Sequence, residues 1–302
     1  DAIVSWQRQT PAGTNSTYTD ANGVFTFPSL TAGMNYTIQA EKNTGFINGV
    51  STYDIVLIQR HILGIQTFDS PYKYLAADVN ANCSITAADI SEIRRLILGK
   101  INAFAQSPSW KFVPTNSIVP TDNPCGFEHS INYSLINRNQ MNADFYGVKM
   151  GDINIDVDAG NAQNSTSRNA NQMPLYYQEQ MLGAGNTQRI AIYATEGMSF
   201  EGMQMAFELD AQKVQIESIE SGQLEITADE YVINGNKVVM SVTQNKGKIV
   251  TPKTALFTLV VKTEAEIKLT NQIRMQEEVL TAQWYDAEVK IHPCLLYTSP
   301  SP

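Results

Sequence analysis

Residues 78–89 read DVNANCSITAAD, and this stretch decides how the middle of the chain folds. Oxygen-bearing side chains occupy every second position, and a carboxylate closes the run at its last position. Ca²⁺ takes roughly six to eight oxygen ligands, which twelve-residue loops supply from positions 1, 3, 5, 7, 9 and 12. We therefore predict a Ca²⁺ site formed by Asp78, Asn80, Asn82, the Ser84 carbonyl group and Asp89. The alternative interpretation is a polar turn before a capped helix.

Position 6 of this loop departs from the usual pattern. It is normally glycine, because the chain turns sharply there, but here it is Cys83. A side chain at positive φ carries a steric penalty, so we expect Cys83 to weaken metal binding without abolishing it. Ile85, at position 8, is expected to tie the loop to an apolar core.

The loop is followed by a helical pattern that also occurs earlier in the chain. Residues 90–99 have apolar side chains at helical spacing and end in a glycine suited to a helix C-terminus. Residues 50–64 (VSTYDIVLIQRHILG) repeat this unit when Asp54 is aligned with Asp89. In the first copy, Asn43, Gly45 and Ile47 stand where the ligand positions should be. Only Asp54 keeps its ligand type, so no metal is predicted there.

A duplicated loop–helix unit of this kind resembles a dockerin, the Ca²⁺-binding module that joins enzymes and scaffolds through cohesins. The resemblance covers about residues 44–100. The apolar spacing predicts that the two helices bury Ile55, Ile58, Ile62, Ile90, Ile93 and Ile97. His61 lies among these apolar residues, and we interpret it as a core or interface residue and not as a metal ligand.

In dockerins, the residues at loop positions 10 and 11 contact the partner. The corresponding pairs are Thr52-Tyr53 and Ala87-Ala88, which differ in size and polarity. This difference removes the symmetry that allows docking in two orientations. We expect the dockerin-like unit to pack within its own chain, against the preceding strands and residues 110–113.

The flanking regions have β patterns. The segment YTDANGVFTFPSLTAGMNYTIQA, residues 18–40, has a turn signal at Asn22-Gly23 followed by a hairpin pattern. It resembles the Cna-B or carboxypeptidase-regulatory-like β-sandwiches of bacterial surface proteins. Because the match covers only the last strands, we predict a truncated sandwich over residues 1–43 and no site in it.

From residue 173 to residue 292 the alternation predicts a second β-sandwich, with a hairpin around Asn234-Gly235. Its succession of strands resembles a cohesin or carbohydrate-binding module, and this likeness carries no residue-level site. The final residues, 293–302 (PCLLYTSPSP), resemble sequencing-adapter read-through, and we exclude them from the predicted fold.

The predicted fold class is therefore mainly β with a small α insertion. A dockerin-like module over residues 44–113 separates the two sandwiches, and residues 114–172 are predicted to be an irregular linker region. Within that region Asp152, Asn154, Asp156 and Asp158 alternate like half of a cation loop. Position 12 would be Gln163, which cannot supply a bidentate carboxylate, so we do not predict a metal here and leave a second site as an open alternative.

Composition narrows the classes of function. The chain has 302 residues, is 43% hydrophobic and 17% charged, and carries a net charge of −9, which indicates a globular protein of two or three domains. The acidic surface disfavours nucleic acid and anionic membranes and suits Ca²⁺. No apolar run is long enough to span a bilayer. The chain begins without Met or a signal peptide, so we expect a piece of a longer protein.

Cysteine usage does not predict a disulfide framework. Three cysteines are present, and a Cys83–Cys125 bridge is an open alternative that we do not predict.

Neither the histidines nor the carboxylates predict a catalytic centre. The three histidines are His61, His129 and His292, and no zinc-protease, serine-hydrolase or phosphate-loop motif is present. Glu217 and Glu220 lie on strand-like segments and are expected to face solvent.

The combination of modules resembles large secreted surface proteins of Bacteroidota. It implies an extracellular or cell-surface location and a non-catalytic, Ca²⁺-binding, structural or adhesive role, with a protein or polysaccharide as partner. The alternative is an accessory part of a polysaccharide-degrading enzyme or complex.

Overall fold

The computed structural model describes residues 1–120, 123–157, 172–209, 214–270 and 272–299. Within these ranges the chain is mainly β with three α-helices, as the sequence predicts. Its contacts divide it into two compact units. One comprises Asp1–Val50 and Leu57–Asn164, and the other comprises Ser51–Val56 and Ser165–Pro302.

The first unit contains two small antiparallel sheets. Its strands are β1 (Ile3–Arg8), β2 (Gly13–Tyr18), β3 (Met34–Glu41), β4 (Trp110–Pro114), β5 (Ile131–Ile136) and β6 (Phe145–Lys149). One sheet has the order β2-β1-β3-β5, and β4 pairs with β6 in the other. A cluster around Val4, Ile38 and Ile131 forms the core beside the larger sheet.

Two predictions for the first unit are wrong. Residues 114–172 are not an irregular linker throughout, because they contribute β5 and β6, whose partners β3 and β4 lie far away in sequence. The expected strand after Gly23 is also absent: Phe25 and Phe27 pack on the sheet core from a segment without ladder hydrogen bonds. Residues 110–113, named above as a packing surface for the helices, lie in the short strand β4.

Three helices lie between β3 and β4 in the chain. They are α1 (Thr52–Ile62), α2 (Pro71–Ala77) and α3 (Ala87–Ile97). Both repeated helices end before a glycine with φ of +67°, Gly64 and Gly99, as predicted. Helix α2 was missed, although Ser70 caps it and Pro71 occupies its first turn, both ordinary start signals.

The predicted buried face of the helices is only partly correct. Ile55, Ile58 and Ile93 are fully buried. Ile62, however, is 43% exposed, because it is the last residue of α1 and lies beyond the buried part of that helix. Ile97 is buried, and Ile90 is half-buried.

The first unit also has a second core beneath α2. Leu75 and Ala76 pack against Val113 of β4 and Val148 of β6, together with Phe127. The helical module and the region after it therefore share a core, and residue 113 is not a boundary between separate structures.

The second unit is a β-sandwich. Its strands are β7 (Met173–Gln178), β8 (Met181–Leu182), β9 (Thr187–Ala194), β10 (Met198–Leu209), β11 (Val214–Ser221), β12 (Tyr231–Asn234), β13 (Lys237–Val250), β14 (Ala255–Thr263), β15 (Ile267–Lys268), β16 (Ile273–Met275), β17 (Gln283–Tyr285) and β18 (Ile291–Ser299). The hydrogen-bonded order is β11-β14-β9-β7-β18-β17-β10-β13-β12, with β16 beside β10. These strands enclose one core that includes Trp284, Phe200, Phe207 and Phe257.

The sandwich extends past the boundary expected at residue 292. Residues 291–299 form β18, which pairs with β17 and runs parallel to β7. Cys294 is buried in the core, so the exclusion of residues 293–299 from the fold is wrong for this structure. Among the described residues, no helix is long and apolar enough to cross a membrane.

Gly222 provides a test of packing in the sandwich. It follows β11, and a Cβ atom added there would lie 2.4 Å from the Ala255 carbonyl oxygen and 2.8 Å from that of Leu256. Backbone atoms of a paired strand cannot move aside easily, so Gly222→Ala should lower the free energy of unfolding by about 1–3 kcal/mol in urea denaturation. Gly183→Ala is the control, because its nearest neighbour, a Gln188 side-chain atom, is 3.4 Å away. Equal stability of the two variants would contradict this packing.

Candidate functional site

Two helix ends place the acidic ends of the loop over residues 78–89. Asp78 is the C-cap of α2, and its backbone N–H donates to the Tyr74 carbonyl. Asp89 lies in the first turn of α3, where it forms a reciprocal capping box with Thr86. Both carboxylates are fully buried. The loop therefore begins and ends at fixed points, and both ends carry a carboxylate.

The predicted ligands Asp78, Asn80 and Asn82 turn their oxygens inward, towards the loop backbone. Asp78 Oδ1 accepts from the Asn82 N–H at 3.0 Å, and Asp78 Oδ2 accepts from the Cys83 N–H at 3.1 Å. Asn80 Oδ1 also accepts from the Asn82 N–H at 3.0 Å. Asn82 Oδ1 accepts from the Ser84 N–H at 2.9 Å. These bonds wrap the backbone around the side-chain oxygens.

Asp89 closes this ring. Its Oδ1 accepts from the Asn80 N–H at 3.4 Å, and its Oδ2 accepts from the Thr86 N–H at 2.9 Å. The structure thus brings Asp78, Asn80, Asn82 and Asp89 together. The Ser84 side chain is exposed, which is compatible with its predicted role, because that role uses only the main-chain carbonyl.

The backbone makes the sharp turn that the sequence predicts. Ala81 has φ of +55° and Cys83 has φ of +68°, both in the left-handed region. Non-glycine residues are uncommon there, and each carries a steric cost of about 1–3 kcal/mol. The prediction that Cys83 adopts positive φ is therefore confirmed.

The expectation for the cysteines is wrong. Cys83 and Cys125 form a disulfide across a sequence separation of 42 residues. Cys125 Sγ lies 3.7 Å from Asp78 Oδ2, so the bridge passes beside the loop carboxylate. Asp78, Cys83 and Cys125 lie close together, but disulfide sulfurs are not thiolates, so these three residues do not form a thiolate metal site. The pairing was missed because two cysteines so far apart in sequence give no local signal.

The loop places two buried carboxylates, Asp78 and Asp89, close enough to repel each other. Burial raises the pKa of Asp89, and the charge of Asp78 raises it further, against hydrogen bonds from the Thr86 and Asn80 N–H groups. Burial lowers the pKa of Lys111 on β4, and the charges of Asp78 and Asp89, with which Lys111 interacts, oppose part of this lowering. A cation in the loop would offset the repulsion, and Lys111 already offsets part of it.

A second turn repeats the backbone of this loop. Asp152 Oδ1 accepts from the N–H groups of Ile155 and Asp156, and Oδ2 accepts from the Val157 N–H at 3.1 Å. Ile155 has φ of +59° at the position that corresponds to Ala81. Burial, and then the charge of Asp156, raise the pKa of Asp152 to about 6. Asp158 and Gln163, which would continue this half-loop, lie outside the described residues.

The first copy of the repeat retains the cap but not the ligands. Ser51 N–H and hydroxyl both donate to Asp54 Oδ2, as Thr86 does to Asp89. Asp54 therefore has a local capping role at the start of α1. The first turn of α1 also contacts the sandwich.

Residues 51–56, which we call the docked segment, group with the sandwich. The buried Thr52 donates its N–H to Gln204 Oε1 of β10 at 2.7 Å, and its hydroxyl is 2.7 Å from Ser241 Oγ of β13. The Thr52 N–H is among the helix N–H groups that have no partner within the helix. Gln204 and Ser241 are also buried, so the sandwich satisfies this end of the helix with two fixed side chains.

The neighbouring residues of the docked segment extend this contact. The Tyr53 hydroxyl donates to the Val289 carbonyl at 2.9 Å, and its ring lies 5.4 Å from that of Tyr285. A Cβ on Gly202 of β10 would lie 2.9 Å from Val56 Cγ2, so only glycine leaves room there. Thr52 and Tyr53 thus contact residues of their own chain, on β10, β13 and β17 and at Val289. In the second copy Ala87 and Ala88 are exposed.

The histidines have packing or hydrogen-bonding neighbours. The His61 ring stacks on Phe68 at 4.0 Å, and its Nδ1 accepts from the Phe68 N–H at 3.2 Å. His129 lies against Phe127, with ring centres 4.2 Å apart. His292 Nε2 is 2.8 Å from Asp286 Oδ2. The packing interpretation of His61 agrees with these contacts.

The carboxylates considered for catalysis lie in surface contacts. Glu220 forms an ion pair with Arg189 through two nitrogens, at 2.8 and 2.9 Å. Glu217 accepts from the Thr187 hydroxyl at 3.1 Å. Both glutamates therefore contribute to a solvated face of the sandwich, as expected.

Comparisons with known proteins give similarity only to solved structures. No protein-family model and no curated protein matches this chain. One chain of a type I cohesin–dockerin complex from Clostridium thermocellum is 12% identical, covers 45% of this chain and 99% of its own, and has a TM-score of 0.35. A non-cellulosomal cohesin from Archaeoglobus fulgidus is 11% identical over 43% of this chain and 92% of its own, with a TM-score of 0.29. Similarities of this size carry no information about ligands or partners here.

The docked segment can be tested at Gln204. Gln204→Leu should leave the buried Thr52 N–H without its acceptor and lower the free energy of unfolding by about 1–3 kcal/mol. Hydrogen exchange of the amides of residues 51–56 should accelerate in the same variant. Gln215→Leu, at an exposed position of β11, is the matched control and should change neither quantity. Unchanged exchange in Gln204→Leu would contradict the contact.

The His61 environment predicts a pH dependence of stability. Burial disfavours the charged imidazole, so the pKa of His61 lies below its ordinary value of 6.5. The unfolded chain therefore binds the proton more tightly, and the stabilisation present above pH 6.5 should decline as the pH falls through the folded-state pKa. His61→Phe, which keeps a stacking ring, should remove this component of the urea-unfolding free energy measured from pH 5 to 7.5. Identical pH profiles for the two proteins would contradict the assignment.

Proposed function

We propose that this chain is a non-catalytic, Ca²⁺-binding structural or adhesive module of a secreted or cell-surface multidomain protein. The observation that carries the proposal is the arrangement of residues 78–89. Asp78 and Asp89 are buried at two helix ends, and Asn80 and Asn82 lie between them with their side-chain oxygens held by backbone N–H groups.

The donor set favours Ca²⁺ over other metals. The proposed ligands are Asp78, Asn80, Asn82, the Ser84 carbonyl and Asp89. Carboxylate, amide and carbonyl oxygens are the ligands of hard cations, whereas copper and zinc favour sulfur and imidazole. Ca²⁺ also tolerates the irregular geometry of a flexible loop better than Mg²⁺, which requires near-octahedral coordination.

Two features moderate the expected affinity. Lys111 places a positive charge near Asp78 and Asp89, and this charge opposes a bound cation. The terminal acid is an aspartate, one methylene shorter than the glutamate usual at position 12. An extracellular site does not need tight binding, because extracellular modules bind Ca²⁺ with dissociation constants of about 10⁻⁴–10⁻³ M.

The disulfide supports the proposed location. Cys83–Cys125 would persist outside the cytosol, since reducing systems in the cytosol keep such thiols reduced. The net charge of −9 is compatible with an environment that contains Ca²⁺, and it disfavours binding to nucleic acid.

The docked segment supports a structural role. A module that presents the first turn of its helix to a free partner would leave Thr52 and Tyr53 exposed. Here both residues use their hydrogen-bonding groups on Gln204 and the Val289 carbonyl. We therefore propose that the dockerin-like unit packs within its own chain, and that other surfaces of the protein bind a protein or polysaccharide partner.

The proposal is tested by titration with Ca²⁺. The cation binds only the folded loop, so it should stabilise the protein by about 2.7 kcal/mol when its free concentration is 100 times Kd, and a chelator should lower the Tm. Asp89→Asn should abolish the effect, because the amide keeps the shape of the side chain but removes the closing negative charge.

Asp69→Asn is the matched control. Asp69 is an exposed residue of the same unit that forms an ion pair of 2.8 Å with Lys73, and its variant should keep the full response to Ca²⁺. Calorimetry that detects no heat with millimolar Ca²⁺, together with an unchanged Tm, would overturn the proposed function.

A further inference from the structure

The disulfide joins the cation loop at position 6, where the loop has cysteine in place of the usual glycine. Cys83 occupies position 6, where glycine normally allows a left-handed turn, and it has φ of +68°. Its N–H donates to Asp78 Oδ2 at 3.1 Å, so the turn at Cys83 also fixes the direction of the first carboxylate. Without glycine, the free chain would rarely adopt this conformation.

The other end of the disulfide lies in a hydrogen-bonded turn beside the core beneath α2. The Cys125 N–H donates to Asn123 Oδ1 at 3.0 Å, and the Gly126 N–H donates to the Asn123 carbonyl at 3.1 Å, which closes a tight turn. Two residues later Phe127 is buried with Leu75 at the core beneath α2. This core therefore holds Cys125 in place, and the bond transmits that position to Cys83.

We infer that the Cys83–Cys125 disulfide is a redox-sensitive device that sets the cation affinity of the loop. In the oxidised protein the bond replaces glycine by holding position 6 in its left-handed turn, and so it directs Asp78 into the site. In the reduced protein Cys83 is released towards conformations with negative φ, and the loop must be reordered when the cation binds. This inference rests on the proposed Ca²⁺ function.

The reaction that operates the device is ordinary thiol–disulfide exchange. A dithiol such as dithiothreitol supplies two electrons and two protons, Cys83 and Cys125 become thiols, and the reagent becomes a cyclic disulfide. Cys83 is exposed, so a reductant can reach the bond. The third cysteine, Cys294, is a buried free thiol in the sandwich core and takes no part.

The experiment compares four forms of the full chain by calorimetry with Ca²⁺ alone. They are the oxidised protein, the protein reduced with dithiothreitol, Cys83→Ser/Cys125→Ser, and Cys83→Gly/Cys125→Ser. We expect reduction and the double serine variant to raise the Kd roughly tenfold, which corresponds to about 1.4 kcal/mol, because a residue other than glycine must then be ordered into the left-handed region when the cation binds. The glycine variant should bind nearly as tightly as the oxidised protein, because glycine needs no bond to make the turn.

A metal-free measurement separates this inference from the proposed function. Without Ca²⁺, the Asn82 and Cys83 amides should exchange with solvent faster in the reduced protein than in the oxidised one, because both donate to Asp78. Equal Ca²⁺ affinity in all four forms would overturn the redox inference and leave the proposed function intact. Absence of binding in all four forms would overturn both.

Discussion

The first unit depends on the burial of two carboxylates at the junction of two helices. Asp78 ends α2 and Asp89 starts α3, and neither is accessible to solvent. Buried charges are costly unless they are paired or hydrogen-bonded. The hydrogen bonds to these groups come from backbone N–H groups of the loop and, at Asp89, also from the Thr86 hydroxyl, so the loop conformation and the helix geometry are fixed together. Lys111 connects the same charges to β4, and through it to the core beneath α2.

The two copies of the loop–helix repeat have specialised in different ways. The second copy keeps the predicted ligand types and exposes Ala87 and Ala88 at the start of its helix. The first copy has lost those ligands but uses Thr52 and Tyr53 to contact the sandwich. The start of α3 therefore closes the loop over residues 78–89, and the start of α1 contacts the β strands of the sandwich. The same local cap supports both, because Ser51–Asp54 and Thr86–Asp89 make the same hydrogen bonds.

Local features could be predicted from the sequence, and long-range pairings could not. The loop turn, the glycine helix ends and most sandwich strands follow from spacing within a dozen residues, which is the range over which propensity and periodicity act. The Cys83–Cys125 bond, the pairing of β5 with β3 and the use of Gln204 by Thr52 join residues that are far apart in sequence. Nothing in a local pattern specifies such a partner. Helix α2 is different, since its cap signals were present at Ser70 and Pro71.

The first copy of the repeat has a neighbour that is distant in sequence and that an alignment of the two copies misses. Alignment along the chain puts Gly49 opposite Ser84, and the residues before Gly49 have lost the ligand types. In the structure, a Cβ at Gly49 would lie 2.7 Å from Val157 Cβ and 3.0 Å from Asp152 Oδ2. Val157 holds the same place in its turn that Cys83 holds in the second copy, directly before Ser84. A turn of the same backbone type as the loop in the second copy thus lies beside Gly49, although it is about a hundred residues away in sequence. Alignment along the chain cannot reveal a neighbour of this kind.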